Sequence, residues 1–155
     1  VQTCALPILA PHLAGARCLD LFAGSGILGI EALSRGAAHC DFFDNQPEIA
    51  RNISQQLANL AAGNDASVHC GDALTLLKEG TTPWDIVFVD PPFDRALGEL
   101  SLKELVRQRR LSRTSWVYFE TRRSHPECVP EEEYTVFREK TAGDVRYQLL
   151  QLRPG

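Results

Sequence analysis

The feature that most constrains this chain is a regular alternation of short apolar runs with segments of helical spacing. Strands are predicted at 18–22, 39–44, 66–70 and 84–89. The last of these contains a continuous apolar run, which suits a strand buried on both faces of a parallel sheet. Repeated strand–helix units imply right-handed crossovers, with helices on both faces of the sheet. We therefore predict an α/β fold.

The remaining elements complete this pattern and then break it. Helices are predicted at 27–34, 47–61, 73–78 and 97–106. Further strands are predicted at 115–120, 134–140 and 145–152. The last two strands flank a turn at 141–144, which is typical of a hairpin. The expected sheet is mostly parallel, has about seven strands and ends in an antiparallel hairpin.

Composition and charge exclude several classes of protein. Sixteen Lys and Arg against 20 Asp and Glu give a net charge of −4, whereas a strongly electrostatic nucleic-acid binder usually has a pI above about 9. The five cysteines are an odd number without C-x-x-C spacing, so neither a disulfide framework nor a structural zinc site is expected. We expect Cys18, Cys40 and Cys70 to be buried, in a reducing compartment. No apolar run approaches the roughly 20 residues of a membrane span.

A glycine-rich turn follows the first predicted strand. Residues 24–29 form the pattern G-x-G-x-x-G between that strand and a helix. Glycines there let the backbone approach a ligand closely, and a helix N-terminus favours anionic groups. A tight strand-to-helix turn has the same pattern, so the motif alone leaves both interpretations open. The candidate cofactor-binding residues are Asp20, Phe22, Ala23, Gly24, Ser25 and Gly26.

The next two predicted strands also lead into carboxylates. Asp44, followed by Asn45, closes the second strand, where a carboxylate can accept both hydroxyls of a ribose. A solvated strand end or a helix cap is the alternative. Asp72, between Gly71 and Ala73, follows the third strand and is placed to accept a hydrogen bond from an adenine amino group. Asp is equally a preferred helix N-cap, and the two roles are compatible.

The sequence Asp90-Pro91-Pro92-Phe93 ends the fourth predicted strand, at the edge where α/β sheets bind ligands. Two prolines stop the strand and stiffen the turn. The Asp90 carboxylate and the Pro91 carbonyl can then act as paired acceptors at one point, and Phe93 can stack on a base. A rigid structural turn is the alternative. We predict that all four residues are catalytic and that Phe93 also binds substrate.

In this order, the four motifs resemble those of S-adenosylmethionine-dependent amino-group methyltransferases. The resemblance is closer to the RsmD-type family, which methylates N2 of a guanine in bacterial 16S ribosomal RNA, and it is carried by residues 18–37, 87–93 and 137–151. It implies a Rossmann-like methyltransferase fold, S-adenosylmethionine as cofactor, S-adenosylhomocysteine as product, and no metal. It also implies a cytoplasmic enzyme, expected to be a monomer, that acts on 16S rRNA in the assembled or assembling 30S subunit.

The chain differs from members of this family at its N-terminus. Family members have several dozen residues before the glycine loop, including a basic arm. We therefore expect residues 1–17 to be the remnant of a truncated N-terminal region and residues 18–155 to be the methyltransferase domain. Phosphate contacts are then expected from basic side chains near the strand ends. The candidates are Arg95, Arg122 and Arg123.

Part of the same evidence is compatible with three other functions. A nicotinamide-dinucleotide oxidoreductase would use the glycine loop and Asp44, but it leaves Asp90-Pro91-Pro92-Phe93 unexplained. Another amino-group methyltransferase would act on DNA adenine N6 or on a protein glutamine, and glutamine enzymes typically carry Asn where this chain has Asp90. A non-catalytic cofactor-binding module is the third.

Overall fold

The arrangement of the chain is given by a computed structural model, which describes residues 5–60, 65–92 and 96–154. Helices and strands follow one another in a nearly strict alternation. The helices are α1 (Ala5–Leu13), α2 (Ile27–Ser34), α3 (Pro47–Asn59), α4 (Ala73–Leu77) and α5 (Leu97–Arg107). The strands are β1 (Arg17–Leu21), β2 (His39–Asp44), β3 (Ala66–Cys70), β4 (Trp84–Val89), β5 (Leu111–Arg122), β6 (Tyr134–Ala142) and β7 (Val145–Leu152). None of the described helices is long and apolar enough to cross a membrane.

All seven strands form one sheet, in the order β3-β2-β1-β4-β5-β7-β6. The first five strands are parallel, and β7 pairs antiparallel with both β5 and β6. The predicted mostly parallel sheet with a C-terminal hairpin is confirmed. From β1 the strand order runs outward through β2 and β3, and from β4 it runs outward in the opposite direction, beginning with β5. The carboxyl ends of β1 and β4 therefore flank a topological switch point, where α/β sheets bind ligands.

Each face of the sheet is covered by its own helices. Helices α1, α2 and α3 pack against one face, which includes Ile86 and Phe88 of β4. Helices α4 and α5 pack against the other face, which includes Val87 and Val89 of the same strand. Strand β4 is thus buried on both faces, as its apolar run predicted.

Apart from shifts of one or two residues at the ends of β1, α3, α4, α5 and β6, the structure differs from the prediction at three places. Helix α1 was not predicted, because its two prolines obscure the 3–4 spacing of Leu6, Leu9 and Leu13, which are all buried. Strand β5 begins earlier than predicted, since Ser112, Arg113 and Thr114 near its start are polar and exposed. The prediction that Cys70 is buried is wrong, because β3 is an edge strand and leaves that thiol exposed; Cys18 and Cys40 are buried.

A close contact at Gly29 sets how near α2 lies to the sheet. A Cβ added at Gly29 would lie 2.7 Å from Cζ of Phe42 and 2.8 Å from the sulfur of Cys40. Both partners belong to β2 and are buried. The helix can therefore sit this close only where it has no side chain, which fixes its N-terminus over the end of β1.

Gly29→Ala should destabilise the fold by about 1–3 kcal/mol, because overpacking at a rigid contact forces backbone or side chains to move. Chemical denaturation would measure the free energy of unfolding. Gly71→Ala is the matched control, since a Cβ there meets Leu76 at an ordinary 3.5 Å. Equal stability of the two variants would contradict this account of the α2 contact.

Candidate functional site

A wide cleft lies at the carboxyl ends of β1, β2, β3 and β4. Its volume is about 580 Å³, within the range typical of small-molecule sites. The four sequence motifs all contribute to its wall. The lining residues are Phe22, Ala23, Gly24, Ser25, Phe43, Asp44, Asn45, Gln46, Gly71, Asp72, Ala73, Asp90, Pro91, Pro92, Leu97 and Arg122.

The glycine loop enters the cleft through a left-handed turn. Phe22, Gly24 and Gly26 have φ angles of 62°, 56° and 77°. The loop is held by backbone hydrogen bonds from Ala23 N to Phe43 O and from Gly26 N to Ala23 O, both 2.9 Å. A left-handed φ is costly for a side chain such as that of Phe22, and such strain concentrates at functional sites. The loop therefore presents its backbone to the cleft in a fixed conformation.

Asp44 joins the glycine loop to the end of β2. Its Oδ2 accepts a hydrogen bond from Gly24 N at 3.0 Å, and its Oδ1 accepts one from Gln46 N at 3.0 Å. The carboxylate thus orders the loop while lining the cleft beside Asn45. Both residues lie where the sequence predicted cofactor contacts.

Asp72 is the N-cap of α4. Its Oδ2 accepts hydrogen bonds from the backbone N and the hydroxyl of Thr75, both at 3.0 Å. The capping role that the sequence left open is confirmed. The side chain also lines the cleft, so its adenine contact stays a prediction.

Asp90, Pro91 and Pro92 come directly after β4 and face the same cleft. Asp90 is half-buried and Pro91 is buried. Asp90 and Pro91 also line a small adjoining cavity. That cavity is completed by Glu120, Thr121, Arg122, His125 and Glu127. The predicted Phe93 and Arg95 lie outside the described residues.

The predicted basic residues divide into two positions. Arg122 ends β5 and lines the cleft. Arg123 does not line it; its backbone N donates to Asp144 O and its guanidinium donates to Gly143 O, which ties it to the β6–β7 turn. The described residues bring together no cluster of His, Cys, Asp and Glu that could hold a metal ion.

Asp20 and Gly26 lie beneath the cleft instead of lining it. The Asp20 carboxyl group is buried and accepts a hydrogen bond from Gly29 N at 3.0 Å. Burial, followed by the charges of Asp90 and Asp44, raises the pKa of Asp20 to about 8. The carboxyl group therefore supports the loop from below, in a setting that disfavours its charged form.

The raised pKa makes stability depend on pH. Between the ordinary value of 3.8 and about 8, the folded state holds a proton at Asp20 that the unfolded chain has lost. Raising the pH through this window therefore favours unfolding, by at most about 1.4 kcal/mol per pH unit. Asp20→Asn keeps an acceptor for Gly29 N without a charge. Chemical denaturation across this window should show the free energy of unfolding of the variant increasing relative to that of the wild type as the pH rises. A constant difference between the two proteins would contradict the assignment.

Sequence reasoning missed several residues of the site. Phe43, Gln46 and Leu97 line the cleft. In the sequence, however, Phe43 has the pattern of a core residue of a strand, and Gln46 and Leu97 have the pattern of residues that start a helix. Glu120 is the most informative omission, because it is a buried carboxylate directly after the apolar run at 117–119 of β5. That conflict with the strand's pattern was the signal that could have identified it.

Several known proteins are similar in sequence to this chain over most of its length. A family model described as conserved hypothetical protein 95 matches residues 1–151. The ribosomal RNA small subunit methyltransferase D of Escherichia coli (strain K12) is 40% identical over 143 residues, covering 92% of this chain and 72% of that protein. The protein of the same name from Haemophilus influenzae is 36% identical, covering 92% and 75%.

Solved structures show the same fold. A candidate methyltransferase from Escherichia coli has a TM-score of 0.89 at 38% identity, covering 97% of this chain and 84% of that one. A Podospora anserina methyltransferase with bound S-adenosylhomocysteine has a TM-score of 0.77 at 15% identity, covering 99% and 78%, and shares the fold alone. On the sequence match across most of its length, the chain belongs to the ribosomal RNA small subunit methyltransferase D family.

Proposed function

We propose that this chain transfers a methyl group from S-adenosylmethionine to the exocyclic N2 of a guanine in 16S ribosomal RNA. Family membership makes it an rRNA methyltransferase. The observation that carries the rest of the proposal is one cleft that joins the glycine loop, the acidic end of β2 and the Asp90-Pro91-Pro92 turn. A cofactor site and a site for an amine are thereby brought side by side.

The lining of the cleft fits the cofactor. Asp44 and Asn45 would hold the ribose, Asp72 the adenine amino group, and the backbone of the glycine loop the methionine portion. When bound, S-adenosylmethionine supplies a methyl group on a positively charged sulfonium. The cleft lining carries three carboxylates and one guanidinium, that of Arg122, so its charge suits a cation. The same lining disfavours a nicotinamide dinucleotide, whose pyrophosphate is anionic.

Asp90 and Pro91 would orient the target amine. The lone pair of an exocyclic amine is delocalised into the purine ring, which makes it a poor nucleophile. The Asp90 carboxylate and the Pro91 carbonyl accept one N–H each and favour a pyramidal nitrogen with its lone pair free. As the N–C bond forms and the S–C bond breaks, positive charge builds on nitrogen. Asp90 stabilises that charge, and it or a water molecule takes one N–H proton.

The substrate would be an unpaired or extruded guanine, because within a duplex one N2 hydrogen is held by base pairing and the stacked base cannot enter the cleft. Arg122 at the cleft edge, with Arg123 nearby and Arg95, would contact RNA phosphates. Phe93 would stack on the base. We propose the 30S subunit as the partner, the cytoplasm as the location and a monomer as the active form. Methyl transfer to 30S particles, compared with naked rRNA and DNA, tests the substrate directly.

Asp44→Ala should weaken S-adenosylmethionine binding by about 1.5–3 kcal/mol, because charge-assisted hydrogen bonds to the ribose are lost. Isothermal titration calorimetry gives the affinity. Asp65→Ala is the control, since Asp65 is exposed just before β3 and does not line the cleft. Unchanged affinity in the Asp44 variant, or tighter binding of NADH than of S-adenosylmethionine to the wild type, would overturn the cofactor assignment.

Asp90→Ala should abolish most methyl transfer while leaving the cofactor affinity and Tm nearly unchanged. The expected loss in kcat is about 100-fold or more, the scale on which one electrostatic contact in a transition state acts. Asp85→Ala makes the same chemical change at the opposite end of β4, where the Asp85 carboxylate accepts a hydrogen bond from Arg17 N. Near-normal turnover by the Asp90 variant would refute the amine-orienting role.

A further inference from the structure

Glu120 is a buried carboxylate beside the proposed amine site. It lies near the end of β5 with 8% of its surface exposed. It lines the small cavity that also contains Asp90 and Pro91. The ion pairs found among the described residues do not include Glu120. Arg122 and His125 line the same cavity, but burying a carboxylate is still costly, so Glu120 calls for an explanation beyond the stability of the sheet.

The strand register places Glu120 next to Asp90 on one face of the sheet. Phe88 pairs with Tyr118 and Val89 pairs with Phe119. The rings of Phe88 and Tyr118 meet on one face, with centroids 6.2 Å apart. Asp90 directly follows β4, so the same register continued to position 90 brings it beside Glu120 on that face, since neighbouring strands are about 4.8 Å apart. Both residues line the small cavity.

Tyr118 fixes the orientation of Glu120. Its hydroxyl donates a hydrogen bond to Glu120 Oε1 at 2.5 Å. Burial, and then this hydrogen bond and the charge of Glu120, raise the pKa of Tyr118 far above its ordinary value. The hydroxyl therefore stays protonated and acts as a donor. The carboxylate is held as an acceptor, and Glu120 lines the cavity.

The chemistry of guanine supplies a matching donor. The Watson–Crick edge of guanine carries the N2 amine beside an N1–H group. When Asp90 and Pro91 hold the amine, N1–H lies directly beside them, where an adjacent strand contributes Glu120. Adenine and 2,6-diaminopurine have no hydrogen at N1 and present a lone pair there, which a carboxylate repels.

We propose that Glu120 is a specificity residue that accepts the N1–H hydrogen bond of the target guanine. The inference rests on the proposed function, since it assigns one contact within that substrate site. A buried hydrogen-bonding group rejects an analogue that lacks the matching group much more strongly than apolar contacts can.

The test compares guanine with 2,6-diaminopurine, which keeps the 2-amino group but has no N1–H. The wild-type protein is first used to map the guanine that it methylates in 30S particles. That position is then replaced by 2,6-diaminopurine in ligated 16S rRNA, and particles are reconstituted with each base. The wild type should methylate guanine at least about 100-fold faster. Glu120→Gln, whose amide can donate to N1, should reduce this preference at least about tenfold, partly by faster reaction of the analogue.

Glu127→Gln is the matched control. Glu127 is also buried and lines the same cavity, but its Oε1 accepts a hydrogen bond from Glu99 N at the start of α5. Its substitution should leave the base preference unchanged. An equal fall in kcat on both bases in Glu120→Gln, or an equal change of preference in both variants, would overturn the inference. If the wild type methylates no guanine, the proposed function itself fails.

Discussion

The absence of a side chain at Gly29 is the constraint on which the site depends. It lets α2 lie against Phe42 and Cys40 of β2, and it brings Gly29 N to the buried carboxyl group of Asp20. These contacts fix the start of α2, and through it the left-handed turn of the glycine loop. The hydrogen bond from Gly24 N to Asp44 then joins that loop to β2. Packing in the core thereby determines backbone geometry at the cleft.

The site concentrates negative charge in a way that the fold alone does not require. Asp44, Asp20, Asp90 and Glu120 belong to or directly follow β2, β1, β4 and β5, which are neighbours in that order. The charges of Asp90 and Asp44 contribute to the raised pKa of Asp20. Such an arrangement costs stability, and proteins typically tolerate this cost where function needs it. Asp20 is protonated below about pH 8, so the carboxylates that would stabilise a cationic cofactor and a nitrogen that becomes cationic are those of Asp44, Asp90 and Glu120.

Much of this arrangement could be predicted from the sequence because its signals are local. The apolar run of β4 and the proline turn after it identified a buried strand and the end at which the cleft lies, and β2, β3, β4 and β7 lie where they were predicted. What could not be predicted depends on contacts between distant segments. Cys70 is exposed because, within the part of the chain that the structure describes, no strand pairs with the outer edge of β3. The position of Glu120 beside Asp90 depends on the register of two strands, which no local pattern contains.

The distribution of charge also explains how an acidic protein can act on RNA. Phosphates would be repelled from a cleft lined by Asp44, Asp72 and Asp90, so the RNA backbone must stay at its edge. Arg122 lies at that edge, and Arg123 is held beside it by the β6–β7 turn. A base carries no phosphate, and the N1–H and N2 amine of an extruded guanine would face the carboxylates as donors. The separation of basic edge from acidic interior would therefore admit the base and the cationic cofactor while holding the RNA backbone outside.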